Sequence, residues 1–168
     1  IGERSRFIHS KIGKFTSIGS YVQNSFAKHP IQNVSQHPAT YLKNCNTFSL
    51  SSIDRYHDAH RFVEDKFYVT IGNDVWIADH VKILDGVNIG DGCVVGTNSL
   101  ITKSLPPYSI AFGIPAKVYN FRFDKEKIKI LSALKWWDYD TEIIKRAVEE
   151  GFFQKSIIEF ENFFVQNQ

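Results

Sequence analysis

With 168 residues, 43% of them hydrophobic and 23% charged, the chain is long enough for one domain with a packed core, and its composition excludes global disorder. Lys and Arg number 20 against 18 Asp and Glu, a net charge of +2; with no dense basic run, nothing points to nucleic acid. No apolar run approaches the ~20 residues that cross a bilayer, so no membrane span is expected. Glu3, Arg4 and Arg6 stand where a secretory signal would be apolar, and the chain opens on Ile rather than Met, as a piece of a longer chain would. Two cysteines, Cys45 and Cys93, make neither a disulfide framework nor a zinc site, and this sparseness agrees with a reducing, cytoplasmic setting.

The first pattern in chain order is a beat of six. Ile12-Gly13 and Ile18-Gly19 are six apart, with Ser10 and Thr16 two residues before each aliphatic. Phe7 to Ile12 is one residue short, so the register slips there, and Ile1-Gly2 reads as the tail of an earlier hexad. The beat stops near residue 24 and resumes near 69. The polar stretch between holds His29, His37, His57 and His60. A long excursion of this kind from a regular scaffold is usually functional or disordered. Asp54, His57 and His60 are three apart, but no fourth ligand stands nearby, so a solvated arm is preferred to a metal site.

From residue 69 the hexads run unbroken. Ile71, Ile77, Ile83, Ile89, Val95 and Ile101 are six apart; Val69, Val75, Val81, Val87, Cys93 and Ser99 precede them by two; Gly72, Ala78, Gly90 and Gly96 follow four of them. A helix would space its apolar residues by three or four, and a simple strand would alternate without the longer beat. Period six with a Gly or Ala step predicts short strands of a β-helix, three hexads per coil, with two full coils over residues 71–106 at ~4.8 Å spacing. The aliphatics point inward. Cys93 then reads as a small core residue, His80 as an outward corner residue, and Trp76 as a side chain of the outer wall; His9 receives no role.

Pro106-Pro107 ends the repeat and Gly113-Ile114-Pro115 makes a further turn. Residues 124–137 read as a helix with Ile128, Leu131 and Leu134 on one face. Residues 141–150 read as a second, closed by Gly151. Ser156 and Glu159 form a capping box for a third that carries Phe160 and Phe164. Trp136 and Trp137 are expected to pack this tail. The fold expected is all-β with a helical tail: a β-helical domain over 1–123, an arm looped out at about 24–68, and a helical extension over 124–168.

Gly72-Asn73-Asp74-Val75-Trp76-Ile77, Pro107-Tyr108-Ser109-Ile110, Gly113-Ile114-Pro115-Ala116-Lys117, Arg122-Phe123-Asp124 and Lys135-Trp136-Trp137-Asp138 occur in this order. Together with the hexads they resemble the xenobiotic acetyltransferase branch of the hexapeptide-repeat acyltransferases. That branch holds chloramphenicol and streptogramin acetyltransferases and relatives that acetylate surface polysaccharides. The resemblance covers nearly the whole chain. It implies a left-handed parallel β-helix, against the usual hand of parallel crossovers, a homotrimer, acetyl-CoA as donor, a hydroxyl acceptor and no metal.

The segment from Lys28-His29-Pro30 to Ser35-Gln36-His37-Pro38 is similar to the family stretch headed by the catalytic histidine. The match places His29 as general base and His37 on the acceptor wall with Trp76; Pro30, where drug-modifying members often have Arg, is a departure that bears on the acceptor. A histidine suits the task because its pKa lies near 6.5. The resemblance further assigns the donor groove to Thr97, Thr102, Lys103, Gly113, Pro115, Ala116 and Lys117, with Arg122 a further candidate for the CoA phosphates. The leading acceptor is a sugar or polysaccharide hydroxyl. The alternatives are an antibiotic hydroxyl, an amino sugar acetylated on nitrogen, and a catalytically silent β-helix scaffold. A γ-type carbonic anhydrase needs three zinc histidines in its coils, which His80 and His9 do not supply.

Overall fold

The computed structural model describes residues 1–24, 31–41 and 69–167. It divides into two compact units, Ile1–Ser25 with Phe67–Gln168, and Phe26–Lys66. The Asp54, His57 and His60 triplet, Cys45 and His29 lie outside the described residues.

In the first unit nine strands of two or three residues follow one another: β1 Ser10–Ile12, β2 Ser17–Ile18, β3 Gln23–Asn24, β4 Val69–Ile71, β5 Trp76–Ile77, β6 Lys82–Ile83, β7 Asn88–Ile89, β8 Val94–Val95 and β9 Leu100–Ile101. The chain visits three sheets in strict rotation, so that β1-β4-β7, β2-β5-β8 and β3-β6-β9 stack in parallel. Ile71 lies on Ile89, Ile77 on Val95 and Ile83 on Ile101. Each hexad aliphatic therefore stands on its own copy. Val22, Val69, Val75, Val81, Ile77, Ile83, Cys93 and Val95 are buried in one core. At ~1.5–3 kcal/mol for each fully buried aliphatic, this inward column is the main source of the unit's stability.

Seven hexads turn a corner on a residue with positive φ, three places after the inward aliphatic. Phe15, Tyr21, Asp74, His80, Gly86, Gly92 and Asn98 all adopt it, with φ between 53° and 86°. His80 is exposed at such a corner, as expected, and its ring stacks on Tyr21 at 4.7 Å and 5°. The slipped register at Phe7 has a visible remedy: the buried Asn24 side chain accepts from Ile8 N at 2.8 Å and donates to Ile8 O at 2.9 Å. The chain leaves the third sheet at Asn24 and rejoins the first at Val69.

The second full coil closes early. Leu105 bridges to Ile89, and Ile110 pairs with Val94, so the offset falls from 18 residues to 16. Leu105 takes the inward slot, and Pro106-Pro107 then carries the chain across the corner at which Gly90 accommodates Pro107. β10 (Ser109–Gly113) joins the second sheet in parallel, and β11 (Ala116–Phe121) folds back on it as an antiparallel edge strand.

The tail forms its own aromatic core. α1 (Lys125–Leu134) is capped by Asp124, whose side chain accepts from Lys127 N. It stops three residues before the expected end, because Lys135 turns to φ 45° and the next turn, Trp136–Asp138, is a 3₁₀ helix that drives both indoles inward. α2 (Thr141–Glu149) follows, ended by Gly151 at φ 71°. α3 (Ile157–Val165) opens on the Ser156–Glu159 capping box. Leu131, Trp136, Trp137, Ile144, Phe160, Phe163 and Phe164 are buried together with Tyr108 of the last coil. In the second unit the described stretch holds one 3₁₀ turn, Pro38–Thr40, capped by His37. No described helix is long and apolar enough to cross a membrane.

Candidate active site

Trp76 follows from the strand alternation. Ile77 points inward, so its neighbour stands on the outer face of the second sheet, between Ser17 and Val94, with 55% of its surface exposed. Thr97 is exposed at the corner between β8 and β9. The buried Ser99 hydroxyl beyond it accepts from Gly113 N at 3.2 Å, which ties this corner to the β10–β11 hairpin. Gly113 (φ 104°), Pro115, Ala116 and Lys117 form that hairpin's turn, with a cis bond between Ile114 and Pro115. A hollow of about 490 Å³ lies against Phe112, Gly113, Pro115, Lys117 and Tyr119. Thr102 and Lys103 occupy the next corner, after β9. The fold thus brings Thr97 to the hairpin residues and sets Thr102 with Lys103 one corner further on.

Lys103 and Lys117 are exposed and enter no ion pair among the described residues, so both ammonium groups are open to a phosphate. Arg122 differs. Its Nη1 donates to Asp74 Oδ2 and to Gly92 O, both at 2.9 Å, and its guanidinium lies over the Tyr108 and Phe123 rings. It ties the segment after β11 to the corners of the coil.

His37 is exposed and held locally. Its Nδ1 accepts from Ala39 N at 3.2 Å, and its carbonyl accepts from Thr40 Oγ1 at 2.8 Å. Cys93 is fully buried; its Sγ donates to Pro106 O at 3.0 Å, and burial pushes the thiol's pKa up, the reverse of what a nucleophile requires. No group of three metal-ligating side chains occurs among the described residues.

The bacterial transferase hexapeptide (six repeats) family matches residues 68–103, the stretch in which the hexads run unbroken. Over those residues the chain is similar to the hexapeptide-repeat transferases. Among similar proteins, a chloramphenicol acetyltransferase of Klebsiella aerogenes is 37% identical over 140 residues, 82% of this chain and 63% of that protein. A probable macrolide acetyltransferase of Lysinibacillus sphaericus is 51% identical over 74 residues, 44% of this chain and 41% of that one. The crystal structure of a maltose O-acetyltransferase from Clostridium difficile 630 superposes with a TM-score of 0.50 at 25% identity, over 73% of this chain and 58% of that one. The chain spans less than two thirds of the length of the chloramphenicol acetyltransferases it matches.

Two features of this hexapeptide-repeat chain escape the hexad pattern. The first is the column of positive-φ corner residues, of which Phe15 and Tyr21 are residue types that rarely adopt it. Their place three after an inward aliphatic is the signal that would have found them. The second is the Tyr108–Asp74–Arg122 group, drawn from three separate motifs and assembled only by the stacking of coils.

Proposed function

We propose that this chain is an acetyl-CoA-dependent O-acetyltransferase, cytoplasmic, built on a left-handed parallel β-helix over 1–123 with a helical extension over 124–168, and working as a homotrimer. The reading is carried by the 37% match over 140 residues to a chloramphenicol acetyltransferase, a run much longer than the hexads at 68–103. The rotation of short parallel strands through three sheets supports the β-helix.

In this reading His29 is the base, five residues past Asn24 where the chain leaves the coil. A hydroxyl is a weak nucleophile at neutral pH, and removing its proton during attack on the thioester carbonyl lowers the barrier. The C–O bond forms, the C–S bond breaks, and the imidazolium returns the proton to the leaving CoA thiolate. No covalent enzyme intermediate is needed, which fits a buried Cys93. The hairpin hollow and the two open ammonium groups suit an elongated anionic donor, with Lys103 and Lys117 as point charges toward its phosphates. His37 and Trp76 are assigned to the acceptor.

A sugar hydroxyl is the first acceptor reading, supported by the likeness to the maltose O-acetyltransferase. An antibiotic hydroxyl is the second, favoured by the greater extent of the chloramphenicol acetyltransferase match. Release of free CoA, followed over sugar nucleotides, oligosaccharides, chloramphenicol and macrolides, separates them. On the acceptor so found, His29→Ala should lower kcat by roughly 10²–10⁴, the usual worth of a positioned base. The wild-type rate should fall as pH drops through about 6.5, because the protonated ring cannot accept. His37→Ala should cost less. An inactive His37 variant beside a normal His29 variant would reverse the assignment, and full activity in both would remove histidine from the mechanism.

A further inference from the structure

Ser99 breaks the pattern of its own column. The slot two residues before each inward aliphatic holds Val69, Val75, Val81 and Val87, then Cys93, and last Ser99. All of them are buried, Ser99 to 1% exposure. A hydroxyl in such a slot is costly to desolvate unless its donor and its acceptor are both used. Here both are: Ser99 Oγ donates to Gly96 O at 2.6 Å and accepts from Gly113 N at 3.2 Å. Another valine would serve core packing, so the hydroxyl answers to those two partners.

The partners belong to different elements. Gly96 O closes the turn over 96–99, which carries Thr97 between β8 and β9. Gly113 opens the turn of the β10–β11 hairpin, which carries Pro115, Ala116 and Lys117. β10 is paired with the coil through Ile110 and Ala111, and Gly96 N donates to Ala111 O at 2.9 Å. Beyond Ala111 that pairing ends. Ala116 still packs against the core, but among the described residues the hydrogen bond from the hairpin turn back to the coil is the one from Gly113 N to Ser99 Oγ. Gly113 has φ 104°, in a region that glycine enters freely. A hydrogen bond on its N–H therefore fixes the direction in which the turn leaves the coil.

We infer that Ser99 is a positioning residue of the donor groove: its hydroxyl holds the Gly113–Lys117 turn against the Thr97 corner, and acetyl-CoA affinity depends on that hold. The inference rests on the donor reading proposed above. Ser99→Thr keeps the hydroxyl, and Ser99→Val removes it at the same shape, one that this slot already carries in Val69, Val75, Val81 and Val87. Calorimetry with CoA should show the Val variant binding about threefold to tenfold more weakly than the Thr variant, the worth of one neutral hydrogen bond. KM for acetyl-CoA should rise by the same factor, with kcat and the acceptor's KM equal in the two. Ser99→Ala, which removes the hydroxyl and adds no bulk, should lose as much against wild type, and it carries the test if the bulkier pair fails to fold. A wild type that does not bind CoA would overturn the donor reading and this inference with it. Wild-type binding together with a lower Tm but unchanged CoA affinity in the Val and Ala variants would make Ser99 a purely structural residue and leave the donor reading standing. So would a loss shared equally by the donor and acceptor KM, which would mark a general loosening of the coil.

Discussion

Cys93 and Tyr108 are the two buried groups whose protons the fold holds most firmly. Burial is the first cause in each case. It raises the Cys93 thiol above its ordinary 9.0, against opposing hydrogen bonds from Ser109. It raises the Tyr108 phenol above its ordinary 10.0, helped by the Asp74 and Asp91 carboxylates and opposed by Arg122. The unfolded chain gives up these protons near the ordinary values, whereas the folded chain retains them to higher pH. Their contribution to stability is therefore complete below pH 9 and is lost as pH rises through the folded values. The expected outcome is a Tm that declines above about pH 9, with a shallower decline in a Cys93→Ala, Tyr108→Phe double variant. Parallel slopes for wild type and variant between pH 9 and 11 would show that other groups carry the alkaline loss.

At the scale of the element, the corner is the critical unit, and Gly86 and Gly92 separate its two demands. Both have positive φ, 86° and 69°. A Cβ on Gly86 would enter open space, whereas one on Gly92 would overlap the Tyr108 ring stacked above it. Gly86→Ala should therefore cost only the backbone term, ~1–2 kcal/mol. Gly92→Ala should cost roughly a further 1–3 kcal/mol for displacing the ring. Chemical denaturation of the two variants measures the difference; equal costs would mean that the ring moves aside freely. These corners also mark the limit of what the residues disclose in order. The inward aliphatics, the outward Trp76 and the capping box at Ser156 are legible because each obeys a local period or spacing. The corner conformation is not legible from residue type, since Phe15 and Tyr21 rarely adopt it, and is signalled only by place, three after an inward aliphatic. The loss of two residues after Ile101 is signalled by Pro106-Pro107, but which aliphatic fills the vacated slot depends on the coil below. For the proposed active site, Thr97, Thr102 and Lys103 lie on the hexads and can be placed by their period, whereas Gly113 to Lys117 lie beyond the repeat and His29 lies in the arm, where no period operates; the roles of all of them rest on resemblance.

For the whole molecule, the β10–β11 hairpin presents a surface at odds with an isolated chain. β11 is an edge strand, and Phe112, Ile114, Val118, Tyr119 and Phe121 around it are all exposed, Tyr119 to 77%. An edge strand is a ready template for pairing, and a contiguous apolar surface of this kind commonly marks an interface. A second copy of the chain covers both in the homotrimer proposed above, and cyclic symmetry repeats the contact until the ring closes. Light scattering should then give three times the chain mass. Tyr119→Asp places a charge on a side chain already exposed within the single chain, so its fold should survive while the assembly shifts toward monomer and releases CoA more slowly. A wild-type monomer that is stable and active would sink the trimer. A variant still at three chain masses would leave the trimer standing and move the hairpin out of its interface, to the donor groove alone.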